Sequence, residues 1–140
     1  MITDAIIKEI FQRYKTIAVY GMSTNREKPA HYVPAFLLEK GYAIIPVHPS
    51  ADTICTEKAY ACLRDIPGLI DVLEVFRPSA QAPDVIREAL QRRAERGDIA
   101  VIWLQDGIYN EEAGRMAEQA GIMVIQDRCM MKEFKRLMTQ

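Results

Sequence analysis

Apolar positions at three- and four-residue spacing alternate along the chain with short, nearly continuous apolar runs, and the two patterns predict helices and buried strands in turn. Near the start, Ile2, Ile6, Ile7, Ile10, Phe11 and Tyr14 fall on one helical face, with Asp4, Lys8, Glu9 and Arg13 between them. Residues 16–20 read as a buried strand stopped by Gly21, and residues 22–29 as a polar loop. A helix is predicted from about residue 32 to 40: Pro34 limits where it begins, and Gly41 supplies the left-handed residue that closes its last turn. Residues 42–47 form a second strand cut off by Pro49. Residues 50–70 read as a long connection with a Pro67-Gly68 turn and one irregular strand at 58–60. Further strands are expected at 71–76, 99–104 and 122–125, with helices at 79–96, 110–120 and 130–138.

Five apolar strands separated mostly by helical segments imply parallel pairing with right-handed crossovers. The expected fold is therefore α/β, a Rossmann-like doubly wound, mainly parallel five-stranded sheet with helices on both faces, in the order 3-2-1-4-5. That order places a ligand crevice beyond the carboxyl ends of the first and fourth main strands.

At 140 residues and 49% hydrophobic composition, the chain suits a single domain over 1–140. Eighteen Lys and Arg against 19 Asp and Glu draw it neither to nucleic acid nor to an anionic membrane, and no segment reads as a signal peptide or a span. Three cysteines, Cys55, Cys62 and Cys129, without CxxC spacing, argue against a disulfide framework or zinc ribbon and for a reducing, cytoplasmic setting. The amphipathic first and last helices could cover their own sheet, a protein partner or a second copy of the chain.

Any chemistry belongs on the loops that leave the strands' carboxyl ends. After the first strand, Gly21, Met22 and Ser23 offer backbone amides leading towards a helix amino terminus, where phosphate is favoured, and Arg26 and Lys28 add positive charge. One glycine is not GxGxxG, however. The second strand ends in Val47, His48 and Pro49, where a dinucleotide site places the carboxylate that holds the adenosine ribose. A ribose bearing a phosphate, as in coenzyme A (CoA), suits that loop better than NAD. An imidazole such as His48 can serve as a general base, but no second acid or base is identifiable beside it. Phe76 and Arg77 offer a stacking face and a guanidinium; Trp103, Leu104 and Gln105 end the fourth main strand, with Gln105 the candidate there to face a ligand. Cys129 precedes the last helix, whose amino terminus could favour a thiolate and a mixed disulfide with a thiol ligand.

The blocks Ala18 to Ser23, Lys28-Pro29, Gly41-Tyr42, Ile45 to Pro49, Asp71-Val72, Val75 to Arg77, Trp103 to Gln105 and Asp127 to Cys129 resemble the stand-alone CoA-binding proteins. They are also similar to the amino-terminal CoA-binding domain of the succinyl-CoA synthetase α subunit. The resemblance runs from about residue 16 to 133 and lies in ordered spacing. It implies that Gly21, Met22 and Ser23 meet a pyrophosphate, that Val47, His48, Pro49, Phe76 and Arg77 frame the adenosine part, and that Trp103 to Gln105 line the path of the pantetheine arm. Two positions depart from the family pattern: His48 stands where Asn is frequent, and Ala30 where a small hydroxyl residue is frequent. The synthetase's phosphorylated histidine and second domain have no counterpart in these 140 residues, so ligase activity is not implied.

The expectation is thus a small-molecule site for CoA or an acyl-CoA, working as a non-catalytic carrier, sensor or regulatory module. Two other readings compete: an NAD(P)-binding oxidoreductase, and a thiol-redox or interaction protein that works through Cys129.

Overall fold

The computed structural model describes residues 1–139. Helix α1 (Asp4–Arg13) starts at Thr3, whose hydroxyl accepts the Ile6 amide at 3.3 Å, and β1 (Thr16–Tyr20) follows. Helix α2 (Pro29–Glu39) begins earlier than expected because Pro29 occupies its first turn, where a missing N–H costs nothing. Pro34 sits deeper in α2 and cannot donate to the Ala30 carbonyl. That carbonyl instead accepts the Ser23 amide at 3.1 Å, so the proline ties the loop after β1 to the helix.

Strand β2 (Ala43–Val47) is followed by a hairpin of two short strands, β3 (Thr53–Ile54) and β4 (Glu57–Lys58). The remainder runs β5 (Val72–Val75), α3 (Ala82–Arg96), β6 (Val101–Leu104), α4 (Glu111–Gln119), β7 (Met123–Ile125) and α5 (Met130–Leu137). The irregular strand expected at 58–60 is half hairpin and half a bridge, in which Tyr60 pairs with Val47.

The five main strands are parallel in the order β2-β1-β5-β6-β7. The Rossmann-like α/β class is as expected, but the order 3-2-1-4-5 is corrected: the third main strand, β5, lies beside β1 and not beyond β2. Pro46 gives the reason. Its carbonyl accepts the Tyr60 amide at 3.0 Å on the outer side of β2, so its nitrogen, which carries no hydrogen, faces that same edge. A strand so equipped belongs at an edge. The free side of β1 takes β5, and the Asp71 carboxylate fastens the start of that pairing by accepting the Lys15 and Thr16 amides, each at 3.2 Å. The point where strand order reverses therefore lies between β1 and β5.

Helices α1, α2 and α5 cover one sheet face around Ile7, Phe11, Leu37, Trp103 and Met130. Helices α3 and α4 cover the other, around Leu73, Ile86, Ala89, Ala113 and Ala117. Both terminal helices thus pack on their own sheet. The Arg92 guanidinium, buried with Asp98, also donates to the carbonyls of Leu63, Ile66 and Gly68, pinning the connection before β5 against α3.

Asn110 joins α4 to the turn that precedes α3: its Oδ1 accepts the Ala113 amide at 2.9 Å, and its Nδ2 donates to the Ser79 carbonyl at 3.0 Å. Asn110→Ala is expected to cost about 1–2 kcal/mol, the usual worth of an amino-terminal cap. In urea the midpoint should fall with an unchanged slope; an unmoved midpoint would mean that the cap contributes nothing to stability.

Candidate functional site

Beyond the carboxyl ends of β1, β2 and β5 lies a crevice of about 370 Å³. Gly21, Val47, His48, Pro49 and Arg77, which lie far apart in sequence, converge on it. Gly21 has a φ of +85° and donates its amide to the Val47 carbonyl at 3.0 Å, locking the first two strand ends together. A Cβ on Gly21 would come within 2.9 Å of Arg77 Cδ, so the absence of a side chain is what lets the arginine lie across the loop. The guanidinium is held in turn by Gln81, whose Oε1 accepts from Nε at 3.0 Å and from an Nη at 2.7 Å. Phe76 is packed at the edge of the core beside them.

His48 caps its own loop. Its Nδ1 accepts the amides of Ser50 and Ala51 at 3.1 and 2.9 Å, which puts the proton of the neutral ring on Nε2. The nitrogen that could take up a proton is thus already engaged.

The opposite wall belongs to α3 and to the end of β1, and the sequence reading missed it. Gln81, Asp84, Val85 and Glu88 line it at helical spacing, together with Tyr20 and Ala61. The spacing was available as a signal, yet nothing in the sequence says which face of α3 borders a ligand. Glu88 accepts from the Tyr20 hydroxyl and from the Leu63 amide, the latter at 2.8 Å. Burial, and then the bond to Glu88, hold the Tyr20 phenol well above its usual range, so it stays protonated.

Other expected site residues go elsewhere. The side chains of Met22, Trp103 and Leu104 are buried in the core. Trp103 donates its indole N–H to the Arg128 carbonyl at 2.8 Å. Gln105, expected to face a ligand, is only 3% exposed, and its Oε1 accepts the Met130 amide at 3.2 Å, serving the first turn of α5. Cys129 is buried at the amino end of the same helix. For the strand-end residues these placements share one cause: a residue at a strand's end can point down into a helix layer as readily as out into the crevice. Ser23 spends its amide on α2, as described, and its hydroxyl on the Asn25 amide at 3.0 Å. Arg26 and Lys28 are exposed on the loop, Arg26 bordering a second cavity and Lys28 preceding α2. The amides of Met22 and Thr24 donate to no protein acceptor among the described residues.

A glycine-lined strand end, a guanidinium and a mixed apolar and carboxylate wall at the reversal of strand order define a Rossmann-like nucleotide-site architecture. The chain belongs to the CoA-binding domain family, whose sequence profile matches residues 15–135. It is 43% identical over 128 residues to the uncharacterized protein YneT of Bacillus subtilis (strain 168), covering 91% of each chain. It is 31% identical over 106 residues to an ADP-forming acetate–CoA ligase of Archaeoglobus fulgidus, covering 74% of this chain and 15% of that enzyme. Among solved structures, a hypothetical protein from Pyrococcus horikoshii superposes with a TM-score of 0.90 at 36% identity, covering 98% of this chain and 93% of that one. No helix among the described residues is long and apolar enough to cross a membrane.

Proposed function

We propose that the chain binds CoA or an acyl-CoA in the crevice at the β1–β5 switch point and acts as a carrier, sensor or regulatory module without turnover. The observation that carries this reading is the convergence of Gly21 and Arg77 with the His48–Pro49 loop, in a chain of the CoA-binding domain family. In this arrangement phosphates belong on the Gly21 and Arg77 side, and the apolar surfaces of Val47, Pro49 and Val85 take a flat ring. The Asp84 and Glu88 carboxylates on the far wall accept hydroxyl or amino groups and repel phosphate.

The use already made of the polar groups in the crevice supports a reading without turnover. Nδ1 of His48 holds two amides, and the Tyr20 hydroxyl is committed to Glu88. Neither is free to move a proton for a bound ligand.

Native mass spectrometry of gently purified protein, followed by calorimetric titration with CoA, acetyl-CoA, NAD, NADP and ATP, tests the reading. CoA or acetyl-CoA is expected to bind at least about tenfold more tightly than either nicotinamide cofactor, a difference of about 1.4 kcal/mol. Preference for NAD or NADP would overturn it and restore the oxidoreductase reading.

A further inference from the structure

A second cavity, of about 280 Å³, opens between the loop after β1, the start of α2 and the β3–β4 hairpin, lined by Thr24, Arg26, His31, Thr53, Ile54 and Cys55. Cys55 and Thr56 are the two central residues of the hairpin, with φ of 54° and 63°. Tight antiparallel hairpins take that left-handed pair of conformations readily with Asn and Gly and less readily with other residues. The turn sets Cys55 Sγ 3.2 Å from Nε2 of His31, across 24 residues of sequence.

The imidazole is fixed at its other end. His31 is 8% exposed, and its Nδ1 lies 2.8 Å from the Ser23 carbonyl, which can only accept; Nδ1 therefore carries the hydrogen, and Nε2 presents its lone pair to the thiol. Nucleophile, base and orienting carbonyl stand in line, the arrangement that activates a weak nucleophile, and Arg26 borders the same cavity.

We propose that Cys55, His31 and Arg26 form a thiol-exchange site for small anionic disulfides, separate from the nucleotide crevice and independent of its ligand. The Cys55 thiol passes its proton to His31 Nε2, and its sulfur attacks one sulfur of the incoming disulfide. The new sulfur–sulfur bond forms as the old one breaks, and the departing sulfur leaves with the electron pair and takes the proton from His31. Cys55 ends as a mixed disulfide; the incoming disulfide is the oxidant, and its departing half is the reduced product.

The charged and titratable groups facing Cys55 are Arg26 from the loop, His31 from α2 and Glu57 from β4. Burial pushes the thiol's pKa up and Glu57 adds to this, while Arg26 opposes it, so Cys55 rests as a thiol and its reactivity depends on proton transfer to His31. Cys62, half-buried and without a hydrogen-bonding imidazole among the described residues, is an internal control.

The test exposes the intact protein to three disulfides of similar length: dithiodipropionate, an anion; bis(hydroxyethyl) disulfide, which is neutral; and cystamine, a cation. Adduct formation at each cysteine is followed by peptide mass spectrometry. Cys55 should react at least about tenfold faster than Cys62, in the order anion, neutral, cation, and Arg26→Gln should compress that order by slowing the anionic reagent the most. His31→Ala should slow Cys55 by about 100-fold, with partial recovery on adding free imidazole, which a merely structural role would not show. Equal rates at Cys55 and Cys62, or no dependence on reagent charge, would overturn the proposal. So would a folded His31→Ala protein that reacts as the parent does. If that variant does not fold, the rate ratio and charge order in the parent decide.

Discussion

Between about pH 4 and pH 9, the stability difference between Glu74→Met and the parent protein is expected to widen by roughly 5 kcal/mol in favour of the variant. Glu74 lies in the middle of β5, paired in register with Val19 of β1 and Trp103 of β6, and it is 0% exposed. Neither carboxylate oxygen has a hydrogen-bond partner among the described residues. Burial alone pushes its pKa from 4.5 up to about 8. A raised acid pKa means that the folded state holds a proton which the unfolded chain has released. Stability from this group is therefore fully present below pH 4.5 and falls as pH rises to about 8. The interval between those values, at about 1.4 kcal/mol per pH unit, is the roughly 5 kcal/mol expected.

Urea titrations across this range measure the effect. Glu74→Gln separates its two components, since the amide removes the charging but keeps a polar group in the core: it should flatten the pH dependence as methionine does while gaining less stability. Parent and variant curves that run parallel at all pH values would show that Glu74 is not a buried acid of raised pKa.

Gly21→Val is expected to weaken CoA binding at least about 100-fold, a loss of about 2.7 kcal/mol or more. Two effects act together. The residue sits at φ +85°, where a β-branched side chain is strained, and its Cβ would push against Arg77 Cδ at 2.9 Å, displacing the guanidinium that we propose meets the phosphates. Gly97→Val is the matched control. Gly97 has a φ of +72° at the end of α3, and a Cβ there would meet nothing within 4 Å, so the variant carries similar backbone strain away from the crevice. Both variants should lose about 1–3 kcal/mol of stability, but only Gly21→Val should lose CoA. If Gly21→Val bound CoA as the parent does, the crevice would not be the site. Arg77→Ala, which leaves the loop unstrained, should weaken binding by about tenfold through the guanidinium alone.

The order of elements was legible because burying a strand on both faces requires an unbroken apolar run, whereas a helix needs only a stripe. Residues 16–20 show the first pattern, and Ile7, Ile10 and Phe11 show the second. The gathering of loops at one end of the sheet follows from parallel pairing alone, so Gly21, Val47, His48, Pro49 and Arg77 could be placed together without coordinates. Even the edge position of β2 was written in Pro46, although a doubly wound sheet of the other order obscured it.

Side-chain direction and long-range partners were decided only by the tertiary structure. Glu74 lies inside an apolar run where nothing local marks it as unpaired; that depends on what β1, β6 and the helix layer set around it. Trp103 near the end of β6 and Gln105 just after it bond to the backbone at the start of α5, because helix packing fixes which strand-end residues turn inward. The contact of His31 with Cys55 needs a helix, a loop and a hairpin to meet, and no periodicity encodes a meeting. Local patterns are set by neighbours a few residues apart, which the sequence alone displays; a site is set by groups brought together from distant segments, and their placement is a property of the packed whole.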